Sequence, residues 1–125
     1  MIKISEPFNI ITKDKNGTLY GVYNPDGSVK IIKGSYFRNH KINTLLQVYR
    51  NKRAELINNN YGNNGIFIKD YVFKNSCEAY CCCYGRYDNG IAKFFTIDNV
   101  ELDKFLNNSK KRCYLEKDDE DIVSL

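Results

Sequence analysis

The chain reads as an α+β domain, an antiparallel sheet of about four to six strands with two main helices packed on it. Three observations predict that class. Residues 18–33 hold two β-branched and aromatic runs around Pro25-Asp26-Gly27, the signature of a hairpin. Residues 42–58 place Ile42, Leu45, Leu46, Tyr49, Leu56 and Ile57 at spacings of three, four and seven, the pattern of an amphipathic helix. Residues 75–85 combine Asn75, a Glu78 three residues on and Gly85, which together mark the start and the stop of a second helix. Hairpins mixed with isolated helices argue against a parallel, doubly wound sheet.

The elements follow in order. FNIIT (8–12) is a strand, and KDKNG (13–17) is a turn. TLYGVYN (18–24) is a strand with a bulge position at Gly21. SVKIIKG (28–34) returns beside it. Asn39 or Asn43 caps the first helix, and the Asn-rich run 58–65 ends it. Arg53 falls in the middle of that helix's apolar stripe. A charge there needs a partner or must snorkel out, and a carboxylate such as Asp70 is the expected partner. GIFIKDYVF (65–73) makes one strand, or two short ones around Lys69-Asp70. The second helix spans 76–84. Residues 87–90 form a turn, IAKFFTI (91–97) a strand, and 100–106 a short helix capped by Asp98 or Asn99. A single domain over 1–107 is expected, followed by a mobile tail, polar and then acidic, at 108–125.

A chain of 125 residues can bury a core without disulfides or metal. Its formal charge of +4 is uneven. EKDDED (116–121) is strongly acidic, so residues 1–115 hold 18 Lys and Arg against 10 Asp and Glu, a net of +8. Such a body favours a polyanionic partner. MIKISEPFNI has no apolar run long enough for a signal peptide, and no stretch approaches a membrane span, so a cytoplasmic location without membrane contact is expected. The abundance of Asn, Lys and Ile fits an AT-rich genome, as in many bacteria and their phages.

Four of five cysteines sit in NSCEAYCCCYGRYDNG (75–90), three of them adjacent. A zinc site needs pairs of Cys or His two to four residues apart, with a second pair elsewhere. Cys77 and Cys81 lie one helical turn apart, but Cys82 and Cys83 diverge around a helix, and only Cys113 and His40 remain. The C-x-x-C redox pair is absent. The cysteines are therefore expected to fill space as small buried hydrophobes, with no metal and no cofactor.

The same stretch resembles the small domain of unknown function 4357 family, often appended to GIY-YIG nucleases, and more distantly the RAMA domain associated with restriction enzymes and adenine methylases. The family's Ser-Pro-Ser entry, small-residue helix, Gly-Arg and Asn-Gly read here as Asn75-Ser76-Cys77, Glu78 to Cys83, Gly85-Arg86 and Asn89-Gly90. GSVKIIKGS (27–35), YRNKRAELI (49–57), KDYVF (69–73) and LDKFL (102–106) resemble its other segments. Where the family carries Trp after Asn-Gly, this chain has Ile91 and Phe94. The resemblance implies a binding module that accompanies DNA-processing enzymes.

Catalytic signatures are missing. There is no phosphate-binding glycine loop and no HExxH, and one His leaves little scope for a hydrolytic triad. Gly21-Val22-Tyr23 imitates the first strand of a GIY-YIG nuclease, but Lys33-Gly34 stands where its second Tyr-x-Gly belongs. The expected function is thus a non-catalytic, nucleic-acid-associated binding module linked to DNA processing or defence. Its partner would be DNA, RNA or a nucleoprotein nuclease. Basic and aromatic residues interleave at the candidate contacts Lys33, Arg38, Lys69, Lys74, Arg86, Tyr87, Asn89 and Lys93. Arg86 is the leading one, beside a turn with Asn89 exposed. The alternative is a small phage or mobile-element protein that inhibits a host nuclease through protein contact, as anti-CRISPR proteins do.

Overall fold

The computed structural model describes residues 5–39 and 45–106. The helix start expected near Asn43, His40, Cys113 and the expected tail at 108–125 lie outside the described residues. Strands β1 (Phe8–Lys13), β2 (Thr18–Tyr23) and β3 (Val29–Ile31) are followed by helix α1 (Gln47–Asn58). A two-residue pair, β4 (Gly62–Asn63) with β5 (Ile66–Phe67), leads to β6 (Tyr71–Phe73) and helix α2 (Ser76–Tyr84). A single 3-10 turn at Gly90–Ala92, strand β7 (Phe95–Thr96) and helix α3 (Leu102–Phe105) complete the order. The class is α+β as expected: one five-stranded antiparallel sheet in the order β6-β3-β2-β1-β7, with helices against it.

The hairpin forms for the reasons legible in its residues. The Gly27 amide donates to the Asn24 carbonyl at 2.9 Å, and the Asp26 carboxylate accepts from the Ser28 amide at 2.9 Å. Gly27 takes φ +89°, where a side chain would be strained. Gly21, by contrast, marks no bulge. It pairs regularly with Ile10 on one side and Ile31 on the other.

Burial alternates along the strands, so each has one covered and one outward side. Ile10, Leu19, Val29, Ile31 and Phe73 are buried on the covered side and join Phe37, Phe67, Leu56 and α2 in one core. The run 65–73 resolves into two short strands, with Lys69 and Asp70 between them.

α2 matches its expected limits. The Asn75 side chain accepts from the Glu78 amide at 2.8 Å, and Gly85 ends the helix in the left-handed conformation. The Glu78 carboxylate reaches the Lys74 amide, at 2.9 Å, one residue beyond a standard capping box. All nine α2 residues are buried. A helix covered all round has no use for a polar face, which is why this one reads Ser-Cys-Glu-Ala-Tyr-Cys-Cys-Cys-Tyr.

Three expectations change. α1 begins at Gln47, with Leu46 in the capping position and no side-chain cap. Of its predicted stripe, Tyr49, Arg53 and Leu56 are buried, whereas Leu46 and Ile57 project outward. The strand expected over 91–97 shrinks to two residues. Ile91 and Phe94, three apart, share one side of the tight turn and are both buried, and an extended chain would have pointed them to opposite faces. α3 starts after Glu101, and neither Asp98 nor Asn99 caps it. Asn99 instead adopts φ +65° in a turn closed by Thr96 and Val100.

The 3-10 turn crosses α2 at its first residues. A Cβ on Gly90 would meet the Ser76 carbonyl oxygen and lie 2.7 Å from the Cys77 Cα, both backbone atoms that cannot yield cheaply. Gly90→Ala is therefore expected to destabilise the fold by about 1–3 kcal/mol, read as a lower urea midpoint at unchanged slope.

Candidate nucleic-acid interface

The eight candidate contacts do not form one site. Lys33, Lys69 and Lys74 lie at the β6 edge of the sheet: Lys33 follows β3, and the other two flank β6. Arg86, Tyr87, Asn89 and Lys93 lie on the segment between α2 and β7, which belongs to the opposite edge. Arg38 joins neither edge. Its amide donates to the Cys83 carbonyl at 2.8 Å, at the end of α2.

That helix end explains the arginines. The last carbonyls of a helix have no partner within it, and here they are buried. The Cys81 carbonyl accepts from the Gly85 amide at 2.9 Å, Cys83 from the Arg38 amide, and Cys82 from Arg53 Nη1 at 2.6 Å. Arg53 Nη2 donates to the Arg38 carbonyl at 2.6 Å, and the guanidinium lies 4.6 Å from the centre of the Phe37 ring. Asp70, its expected partner, accepts instead from the Lys33 amide at 2.7 Å. Burial pulls Arg53 below its ordinary pKa, and a cation at the negative end of the α2 dipole is well placed.

Arg86 is also engaged within the fold. Its Nη1 meets Asp14 Oδ2 at 2.9 Å, and its Nη2 donates to the Tyr80 hydroxyl at 2.7 Å. The guanidinium lies 5.0 Å from the Tyr84 ring centre. Asp14 Oδ1 accepts from the amides of Asn16 and Gly17, and the Tyr84 hydroxyl donates to the Gly17 carbonyl at 2.8 Å. Arg86 thus ties the β1–β2 turn to α2. Burial pushes the Asp14 carboxyl up, but the Asn16 amide, Arg86 and the Gly17 amide outweigh it and hold Asp14 below the usual carboxylate range. Residue spacing carries no sign that Asp14 and Tyr80, 72 and 6 residues away, are its partners.

The other candidates vary. Tyr87 is exposed, with its ring 6.3 Å from that of Tyr49. Asn89, expected to be exposed, is half-buried, and its amide donates to Asp88 Oδ1 at 2.8 Å. Lys93 pairs with Asp88 at 3.7 Å. Lys69 lies over the Tyr61 ring at 4.5 Å. Among the described residues, the ammonium groups of Lys33, Lys69 and Lys74 enter no ion pair.

Cys81, Cys82 and Cys83 are not in disulfides, have no exposed surface and fill space as expected. Burial pushes the thiols of Cys82 and Cys83 well up, so neither is a thiolate at neutral pH. Cys77 departs from that expectation: it is disulfide-bonded. Among the described residues, no group of three or more His, Cys, Asp or Glu is placed to hold a metal ion, and no helix is long and apolar enough to cross a membrane. Ile91 and Phe94, standing where the resembled family has Trp, are buried and line no surface.

Comparison with protein-family models, with curated proteins and with solved structures finds no match.

Two outcomes are expected. Arg53→Met strands the Cys82 and Arg38 carbonyls and should lower stability by about 3 kcal/mol in urea titration, with Arg53→Lys recovering part of the loss. Because folding lowers the Asp14 pKa, its contribution is present above the unfolded-state value and lost as pH falls through the folded one. Wild type should therefore exceed Asp14→Asn in stability at neutral pH by up to about 1 kcal/mol, and the gap should close below about pH 4.

Proposed function

We propose that the protein is a non-catalytic nucleic-acid-binding module. The observation that carries this reading is the row of lysines at the β3–β6 edge. Lys33, Lys69 and Lys74 lie there beside Lys30, which is in register with Val72 on β6, and none of the four is ion-paired among the described residues. Lysine ammonium groups held at one border of a basic body suit phosphate oxygens, whose neutralisation releases counterions.

Four charged groups support a binding role over a catalytic one, because they are occupied in holding the chain. Asp14 serves Arg86 and a turn, Asp70 the Lys33 amide, Glu78 the Lys74 amide before α2, and Arg53 the α2 end. This geometry moves the expected contact away from Arg86. That side chain is 42% exposed and already has a carboxylate partner, so it serves as a structural clamp with an accessible edge.

The test is fluorescence anisotropy with labelled duplex DNA, single-stranded DNA and RNA at several salt concentrations. Binding should weaken with salt, and the combined Lys33→Gln, Lys69→Gln, Lys74→Gln variant should flatten the log–log slope by roughly 0.7–0.9 per lysine that contacts phosphate. Absence of binding to every probe at low salt would overturn the proposal and turn attention to a protein partner such as a nuclease.

A further inference from the structure

Among the described residues, the helices cover one side of the sheet, and the strands' other side faces outward. Its residues follow from the alternation and the register. Ile11 stands opposite Tyr20 and opposite Phe95, and the Ile32 amide donates to the Tyr20 carbonyl. Phe95, Ile11, Tyr20 and Ile32 therefore form one row across four neighbouring strands. The adjacent outward row reads Asn9, Val22, Lys30 and Val72. On the other flank, Lys13 lies opposite Thr18. Tyr20, on the central strand β2, is 50% exposed, and Val72, on the edge strand β6, is 51% exposed.

Charge selects the occupant. The nine outward strand positions, with Ile32 just past β3, hold two lysines and no carboxylate; the one carboxylate beside them is Glu101, bridged to Phe95 at the β7 end of the row. β1 and β3 run the same way, so Lys13 at the end of one and Lys33 just past the other share an end of the sheet, with Lys15 in the turn between β1 and β2. The carboxylates at that end are engaged, Asp14 by Arg86 and Asp70 by the Lys33 amide. The aromatic row is thus bracketed by Lys30 on one side and by Lys13, Lys15 and Lys33 on the other.

We infer that this open face is the binding surface for single-stranded nucleic acid, with Tyr20 and Phe95 as stacking platforms. The inference rests on the proposed nucleic-acid function and names its substrate class and its site. Tyr20 and Phe95 are separated by two strand spacings, about 10 Å, which leaves room for a base on each ring. A duplex keeps its bases stacked inside and offers these rings nothing, whereas an unpaired strand presents π-faces to them and phosphates to the flanking lysines.

The chain contains no Trp, so Tyr20→Trp installs a single indole reporter on the face. With oligo-dT and oligo-rU as probes and a hairpin duplex as control, the indole should be quenched on addition of either single strand and not by the duplex. Tyr20→Ala should weaken single-strand binding about ten- to a hundredfold, and Lys30→Gln should lower the salt slope by about 0.7. If wild type binds nucleic acid while the indole stays unquenched and Tyr20→Ala binds like wild type, the site is overturned and the proposed function stands. If wild type binds no probe, both fail. Indole emission that changes with protein concentration and not with probe would assign the face to a second copy of the chain and overturn the inference.

Discussion

The structure depends on satisfying the buried end of α2. A nine-residue helix with every residue covered can place its carbonyl oxygens nowhere near bulk solvent, and each one left without a donor costs on the order of 1–3 kcal/mol. Three donors converge there from three parts of the chain: the Gly85 amide, the Arg38 amide and the Arg53 guanidinium. Arg53 connects most of them, since its second nitrogen returns to the Arg38 carbonyl. One side chain of α1 thereby fixes the loop after β3 against the end of α2.

The division of labour between the two kinds of basic residue follows from their chemistry. A guanidinium forms several directed hydrogen bonds and is more weakly hydrated, so it tolerates burial. Arg53 and Arg86 are used in that way, one on carbonyl oxygens and one across Asp14 and Tyr80. Lysine ammonium is strongly hydrated and stays at the surface. Lys33, Lys69 and Lys74 accordingly remain exposed, which makes them, more than Arg86, the groups with charge to offer a partner. Counting basic residues in the chain treats the two alike, and the fold separates them.

Local chemistry was legible wherever it acted within a few residues. The Pro25–Gly27 turn, the Asn75 cap and the Gly85 stop each involve groups less than five positions apart, and each forms as its residues predict. The packed cysteines 81 to 83 were legible too, because cysteine outside a metal or redox pairing behaves as a small buried hydrophobe. The candidate interface was much less so. Its eight residues were chosen for charge and aromaticity, and those qualities are shared by Arg86 as a clamp and Lys93 as an ion pair. Tyr20 and Lys30 were passed over, because alternation reveals two sides of a strand without saying which of them another element will cover.

The sequence by itself determined the α+β class, the first hairpin and the limits of α2, since backbone preference and capping are properties of neighbouring residues. It also determined the excess of basic charge in the body. The tertiary structure alone decided which cations are consumed internally, as Asp14 reaches Arg86 across 72 positions and Arg53 reaches the α2 end across 29. It alone shortened the 91–97 strand to two residues, because Ile91 and Phe94 had to enter the same core. And it alone left one side of the sheet uncovered by helices among the described residues. Such outcomes turn on which surfaces meet in space, and nothing in the spacing of residues along a chain records that.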